Sequence, residues 1–176
     1  MELRRLFLLA EALDTPLSEI FAEAEGRKPE PRKGYLRFEL LGVRATAGNG
    51  GEPVDFPEVV RELQVLETWA RQTLGVVDPR RVKVITCSGD SMVPTLQPGD
   101  VVFVDTGVTC FQSEGVYVLV LQGRLLIKRL RMLFDGRLAI QSDNDKSYAT
   151  EYISGAQAEQ LTVSGRVLGW WTLRRN

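Results

Sequence analysis

Histidine is absent from the 176 residues, and that absence removes much chemistry. No Ser-His-Asp triad, Cys-His dyad, His-ligated zinc site or imidazole acid/base can be built from this chain. Any proton transfer must fall to Asp, Glu, Lys, Tyr or Cys. Cysteine is scarce as well. Cys87 and Cys110 are too few for a disulfide scaffold and lack metal-ligand spacing, so both read as small buried hydrophobes in a reducing compartment. Neither a metal nor a cofactor is expected. Long apolar runs are also missing: nothing approaches a membrane span, and the opening run is too short for the core of a signal peptide. The expectation is a cytoplasmic protein with no membrane partner. Neither sign of charge dominates, with 22 Lys+Arg against 23 Asp+Glu, which argues against a generally basic nucleic-acid binder.

What remains is an ordinary globular composition, 44% apolar and 26% charged, at a length that suits one medium domain and an appendage. In residues 1–24, Leu3, Leu6, Phe7, Ala10 and Leu13 recur at helical spacing. Thr15 and Pro16 restart a second short helix as N-cap and first helical residue, and Leu17, Ile20, Phe21 and Ala24 continue an apolar face. Residues 25–34, charged and twice interrupted by proline, read as a linker to a domain over 35–176. Residues 35–43 alternate as a strand, and 44–53 have the composition of an exposed glycine-rich loop. The spacing of Val59, Leu63, Leu66, Trp69, Ala70 and Leu74 predicts a helix over 57–74, ended by Gly75. Beyond Asp78 the texture is short strands and turns: 82–87, 101–105, 115–122, 125–131, 137–142 and 160–171. The expected fold is mainly β, a compact curved all-β domain with a short helical amino-terminal appendage.

The most informative stretch is Ser88-Gly-Asp-Ser91-Met92-Val-Pro-Thr-Leu-Gln-Pro98-Gly-Asp100. It is followed, in order, by Lys128-Arg129, Ser142-Asp-Asn144 and Gly165-Arg-Val167. Over about residues 35–172 this order resembles the LexA-like family of serine peptidases, which includes self-cleaving SOS and phage repressors. The resemblance implies a compact β peptidase domain in which Ser91 is the nucleophile and Lys128 the general base. It also implies that backbone N–H groups at Ser91 and Met92 hold the oxyanion. Residue chemistry agrees. A serine hydroxyl needs a base, and without histidine the available one is a lysine kept neutral by desolvation. Lys128 stands in Leu125-Leu-Ile-Lys-Arg-Leu130, on one strand face with Leu126 and Leu130, while Arg129 alternates to the other. Asp90, Asp100 and Asp105 read as turn and strand-edge residues rather than catalytic carboxylates, and Ser142-Asp-Asn144 as an Asx-type turn.

Self-cleaving members of that family cut between a small residue and glycine, and Ala47-Gly48 is the matching bond here, with Gly50-Gly51 as a competitor. Tethering supplies effective molarity, so a slow dyad need not bind its substrate well. Residues 2–24 resemble the last two helices of a Cro/repressor-type helix-turn-helix domain whose recognition helix would lie upstream of Met1. There Arg4 and Arg5 are outnumbered by Glu2, Glu11, Asp14, Glu19 and Glu23, so this segment would not hold DNA by itself. The resemblance therefore implies a transcriptional repressor that forms homodimers and responds to an activated recombinase filament. DNA binding would require the upstream helix-turn-helix. Trp170-Trp171 is a candidate anchor for the dimer. The alternatives are a catalytically silent dimerisation module, a self-cleaving polymerase-accessory protein, and a type I signal peptidase, which would need a membrane anchor.

Overall fold

The computed structural model describes residues 32–47, 62–121 and 123–172, which fall almost wholly in one unit, Leu36–Asn176. The expected helices of residues 1–24, most of the linker and the later part of the glycine-rich loop lie outside the described residues. The elements are β1 (Tyr35–Ala47), β2 (Glu62–Leu66), α1 (Glu67–Thr73), β3 (Val82–Gly89), β4 (Val101–Asp105) and β5 (Gly115–Leu121). They continue with β6 (Arg124–Met132), β7 (Leu138–Gln141), β8 (Glu151–Ile153), α2 (Gly155–Glu159) and β9 (Thr162–Trp171). The expected mainly β class is what is found.

One sheet contains all the strands of the described residues, in the order β2-β1-β3-β4-β9-β5-β6-β7-β8, and it curls until β1 also meets β6 at Ala45 and Leu125. The ring β1-β3-β4-β9-β5-β6 is thereby closed. β1 runs parallel to β3, whereas β3-β4, β4-β9, β9-β5 and β5-β6 are antiparallel. Close strand approach is needed where β9 crosses β4: a Cβ on Gly165 would stand 2.9 Å from the Asp105 carbonyl oxygen. Any side chain there would push the strands apart.

Two expectations of secondary structure are corrected. Residues 62–66 are a strand rather than the first half of a helix, which is confined to Glu67–Thr73. Val65 is buried between exposed Gln64 and Leu66, a period of two that the helical spacing of Leu63, Leu66 and Ala70 had masked. The free edge of β1 supplies the backbone partners that decide the matter. Gly75, with φ of +65°, ends α1 as expected. Residues 44–47 are likewise strand rather than loop, because they pair in parallel with β3 from Arg44 opposite Thr86 to Ala47 opposite Gly89. Composition carries no information about such a partner. Strand β8 and helix α2 were not anticipated. Ser154 and Gln157 mark the start of α2, where the Ser154 backbone N–H donates to the Gln157 side chain at 2.9 Å.

Three apolar clusters fill the unit. One gathers Phe38, Val65, Ala70, Val84 and Phe103 under α1, with Trp69 and Leu40 against it. A second joins Ile85, Cys87, Met92, Leu96 and Ile127, and a third joins Tyr117, Leu119, Leu130 and Leu138. Each fully buried side chain of this size stabilises the fold by about 1.5–3 kcal/mol. β6 feeds two of these clusters from its opposite faces, through Ile127 and Leu130, which is why its sequence is apolar on both. Cys87 is buried as expected. Cys110 is exposed, a correction, because it lies in the connection between β4 and β5 where no sheet covers it.

Candidate active site

β3 ends at Gly89, whose φ of +78° turns the chain sharply in a conformation strained for other residues. The following turn is fixed by Val93 N–H donating to Asp90 O at 3.0 Å and Leu96 N–H to Met92 O at 2.8 Å. Met92 and Leu96 are fully buried and anchor the turn in the second cluster. Pro98-Gly-Asp100 then returns the chain, and Asp100 is more than the turn residue it was expected to be. Its buried carboxylate accepts from Gln97 N–H at 2.9 Å and from the Thr172 hydroxyl at 3.0 Å, clamping the end of β9 to the turn. Between these supports Ser91 is fully buried, and its Oγ has no hydrogen-bond partner.

Lys128, half-buried on β6, donates from Nζ to Ser142 Oγ at 2.6 Å and lies 5.4 Å from the centre of the Tyr148 ring. Burial lowers its pKa from the ordinary lysine value, against a smaller opposing pull from Glu151. Ser142, assigned from sequence to a turn, is thus the lysine's acceptor. The β6-β7 register, from Met132 opposite Leu138 to Arg129 opposite Gln141, explains the meeting: one step further brings Lys128 to Ser142. That hairpin arithmetic was available in the sequence through the Asp135-Gly136 turn.

The segment 142–148 ties the lysine to the serine turn. Asn144 N–H donates to Ser91 O at 2.9 Å and Asn144 Nδ2 to Asp90 O at 3.2 Å. The Tyr148 hydroxyl donates to Asp90 Oδ1 at 2.6 Å, a bond that raises the tyrosine pKa above its ordinary value. Tyr148 was not singled out by sequence reading, because a lone tyrosine in a polar turn carries no spacing signal. Next along, Arg129 grips Asp143 through two bonds of 2.8 and 2.7 Å. Burial is the largest influence on Asp143 and raises its pKa. Hydrogen bonds from Arg129 and Thr95, with the Arg129 charge, outweigh it and hold the carboxyl below its ordinary value.

Strand β1 brings the remaining candidate to the same end of the sheet. Ala47 is the backbone partner of Gly89, and Ala45 is the partner of both Cys87 on β3 and Leu125 on β6. Gly48 lies outside the described residues. Asp105 is occupied by Arg81 and by the N–H of Gly107 at 2.9 Å, as a strand-edge residue should be. Among the described residues no group of three potential metal ligands occurs, and no helix is long and apolar enough to cross a membrane.

The described residues thus form a curled β sheet that carries a buried serine in the turn after β3 and a half-buried lysine on β6. Residues 39–168 match the family described as Peptidase S24-like, and the chain belongs to that family. It is 40% identical over 135 residues to a 26 kDa repressor protein of Escherichia phage HK022, covering 76% of this chain and 57% of the phage protein. It is 30% identical over 100 residues to the HTH-type transcriptional regulator PrtR of Pseudomonas aeruginosa, covering 56% and 39% of the two chains. An HTH-type transcriptional regulator of Haemophilus influenzae is 31% identical over 85 residues, 48% of this chain and 35% of its own length. The chain thus spans little more than half the length of the phage repressor, and less of the other two.

Proposed function

We propose that this chain is the self-cleaving and dimerising part of a phage-type transcriptional repressor, cutting its own backbone between Ala47 and Gly48. One observation carries the reading: the strand register. Ala47 pairs with Gly89, two residues before Ser91, and Ala45 pairs with Leu125, three residues before Lys128. The residues preceding the bond therefore pair with β3, whose following turn bears Ser91, and meet β6, which bears Lys128.

In the proposed reaction neutral Lys128 takes the Ser91 hydroxyl proton as Oγ attacks the Ala47 carbonyl carbon. Backbone N–H groups of Ser91 and Met92 stabilise the oxyanion. The C–N bond to Gly48 breaks, and the amine leaves with the proton that Lys128 returns. Water, deprotonated by Lys128, then hydrolyses the Ala47 ester and frees Ser91. Burial of Lys128 supports the role, since a fully hydrated ammonium would hold its proton at neutral pH.

Lys128 is bonded to Ser142 rather than to Ser91, whose hydroxyl is unpartnered. That favours a second reading, a silent dimerisation module with the same fold. Incubation at alkaline pH separates the two: self-cleavage yields fragments 1–47 and 48–176, and Ser91→Ala or Lys128→Ala yields none. An unchanged intact mass at high pH, even with an activated recombinase filament added, sinks the peptidase reading. Dimerisation rests on the family likeness and on Trp170 and Trp171, which remain partly exposed at the end of β9. Sedimentation at micromolar concentration tests it, and a monomer counts against it.

A further inference from the structure

Hydrolysis after Ala47 leaves all of β1 on the amino-terminal side of the cut, and β1 is built into the sheet rather than tethered to it. Its neighbours β2 and β3 both lie on the carboxyl-terminal side. Phe38 is 1% exposed and meets Phe103 edge-on, with ring centres 5.8 Å apart. Leu36 and Leu40 pack on the same cluster. Along the backbone, β1 is paired with β3 from Leu40 opposite Val84 to Ala47 opposite Gly89. The Glu39 carboxylate lies 3.7 Å from the Lys83 ammonium. Breaking the bond after Ala47 disturbs none of these contacts.

We propose that the fragment ending at Ala47 stays bound to residues 48–176 as a strand seated between β2 and β3. Cutting then produces a nicked two-chain complex, and separating its halves is a second, distinct step in which β1 is drawn out of the sheet. The partner for this groove is the chain's own segment 35–47. Its new carboxylate stays beside Gly89, so the cut molecule keeps its substrate groove filled and does not act on a second copy. The position of the cut rests on the function proposed above, whereas the seating of β1 does not.

The test uses the full chain carrying Ser91→Ala, with a recognition sequence for a site-specific endoprotease inserted after Asn49. After complete cutting, checked by mass in denaturant, both fragments are expected in one gel-filtration peak at micromolar concentration and apart only in denaturant. Phe38→Ala in the same chain is expected to weaken the attachment by about a hundredfold or more, with circular dichroism of the uncut chain reporting on folding. If that variant fails to fold, Leu36→Ala and Leu40→Ala, at partly buried positions, are expected to show the same trend with smaller amplitude. Elution of the amino-terminal fragment by itself, from the chain that retains Phe38, overturns the proposal. A chain that never cuts itself overturns the peptidase reading and leaves this result standing.

Discussion

Two neighbouring cations on β6 meet two neighbouring residues of one turn, with opposite consequences. Lys128 meets a neutral hydroxyl, Ser142, and burial pushes its pKa down. Arg129 meets a carboxylate, Asp143, and that bond pushes its pKa further up. The strand alternates, so one step along the chain separates a region suited to proton transfer from a region suited to holding shape. The difference teaches that partner chemistry, rather than strand position, sets what each charge can do. A guanidinium in a fork with a carboxylate stays charged at any working pH. An ammonium bonded to a hydroxyl and partly buried gives up its proton more readily, even against the weaker pull of Glu151.

The sharpest way to break the contrast is to make the two residues alike. Lys128→Arg keeps the charge and removes the base, so self-cleavage should be lost entirely at every pH, as read by intact mass. In the parent chain the rate should rise with pH through the lowered Lys128 pKa, with a midpoint below the ordinary lysine value of 10.5. Ser142→Asp gives the lysine the kind of partner that Arg129 has. Its pKa should rise, moving the alkaline limb of the cleavage profile up by about one to three pH units. Arg129→Gln should leave that limb where it is and cost about 1–2 kcal/mol of stability in urea denaturation followed by circular dichroism, because the pair is partly open to water. The Asp143 contribution is present above the ordinary carboxylate pKa and is lost as pH falls through its lowered folded value. The smallest effect on stability is expected from Ser91→Ala. Removing a buried hydroxyl without a partner should raise stability by about 1 kcal/mol while abolishing cleavage.

Much of the fold and part of the site are legible in the amino-acid sequence alone. Alternation marks most of the strands, glycines mark the turns, and the lack of histidine together with the family resemblance makes Lys128 the candidate base. What stays hidden depends on long-range pairing. β2 reads as helix because Leu63, Leu66 and Ala70 fit the helical period, and only the edge of β1 decides for a strand. Residues 44–47 read as loop because small residues say nothing about a strand lying alongside. Ser142 and Tyr148 reach the site across a hairpin and a turn, by register rather than by local pattern.

The placement of the aromatic residues has an optical consequence. All three tryptophans, Trp69, Trp170 and Trp171, sit on α1 or at the end of β9. Trp171 lies 5.1 Å from Phe103 and 5.4 Å from Trp69, ring centre to ring centre, and Phe103 in turn touches Phe38 of β1. Tryptophan emission therefore reports on the ring cluster that Phe38 of β1 completes. If β1 leaves the sheet, Phe38 withdraws from Phe103 and water reaches the indoles, so a red shift in the emission of the unlabelled protein is the expected mark of a strand's exit.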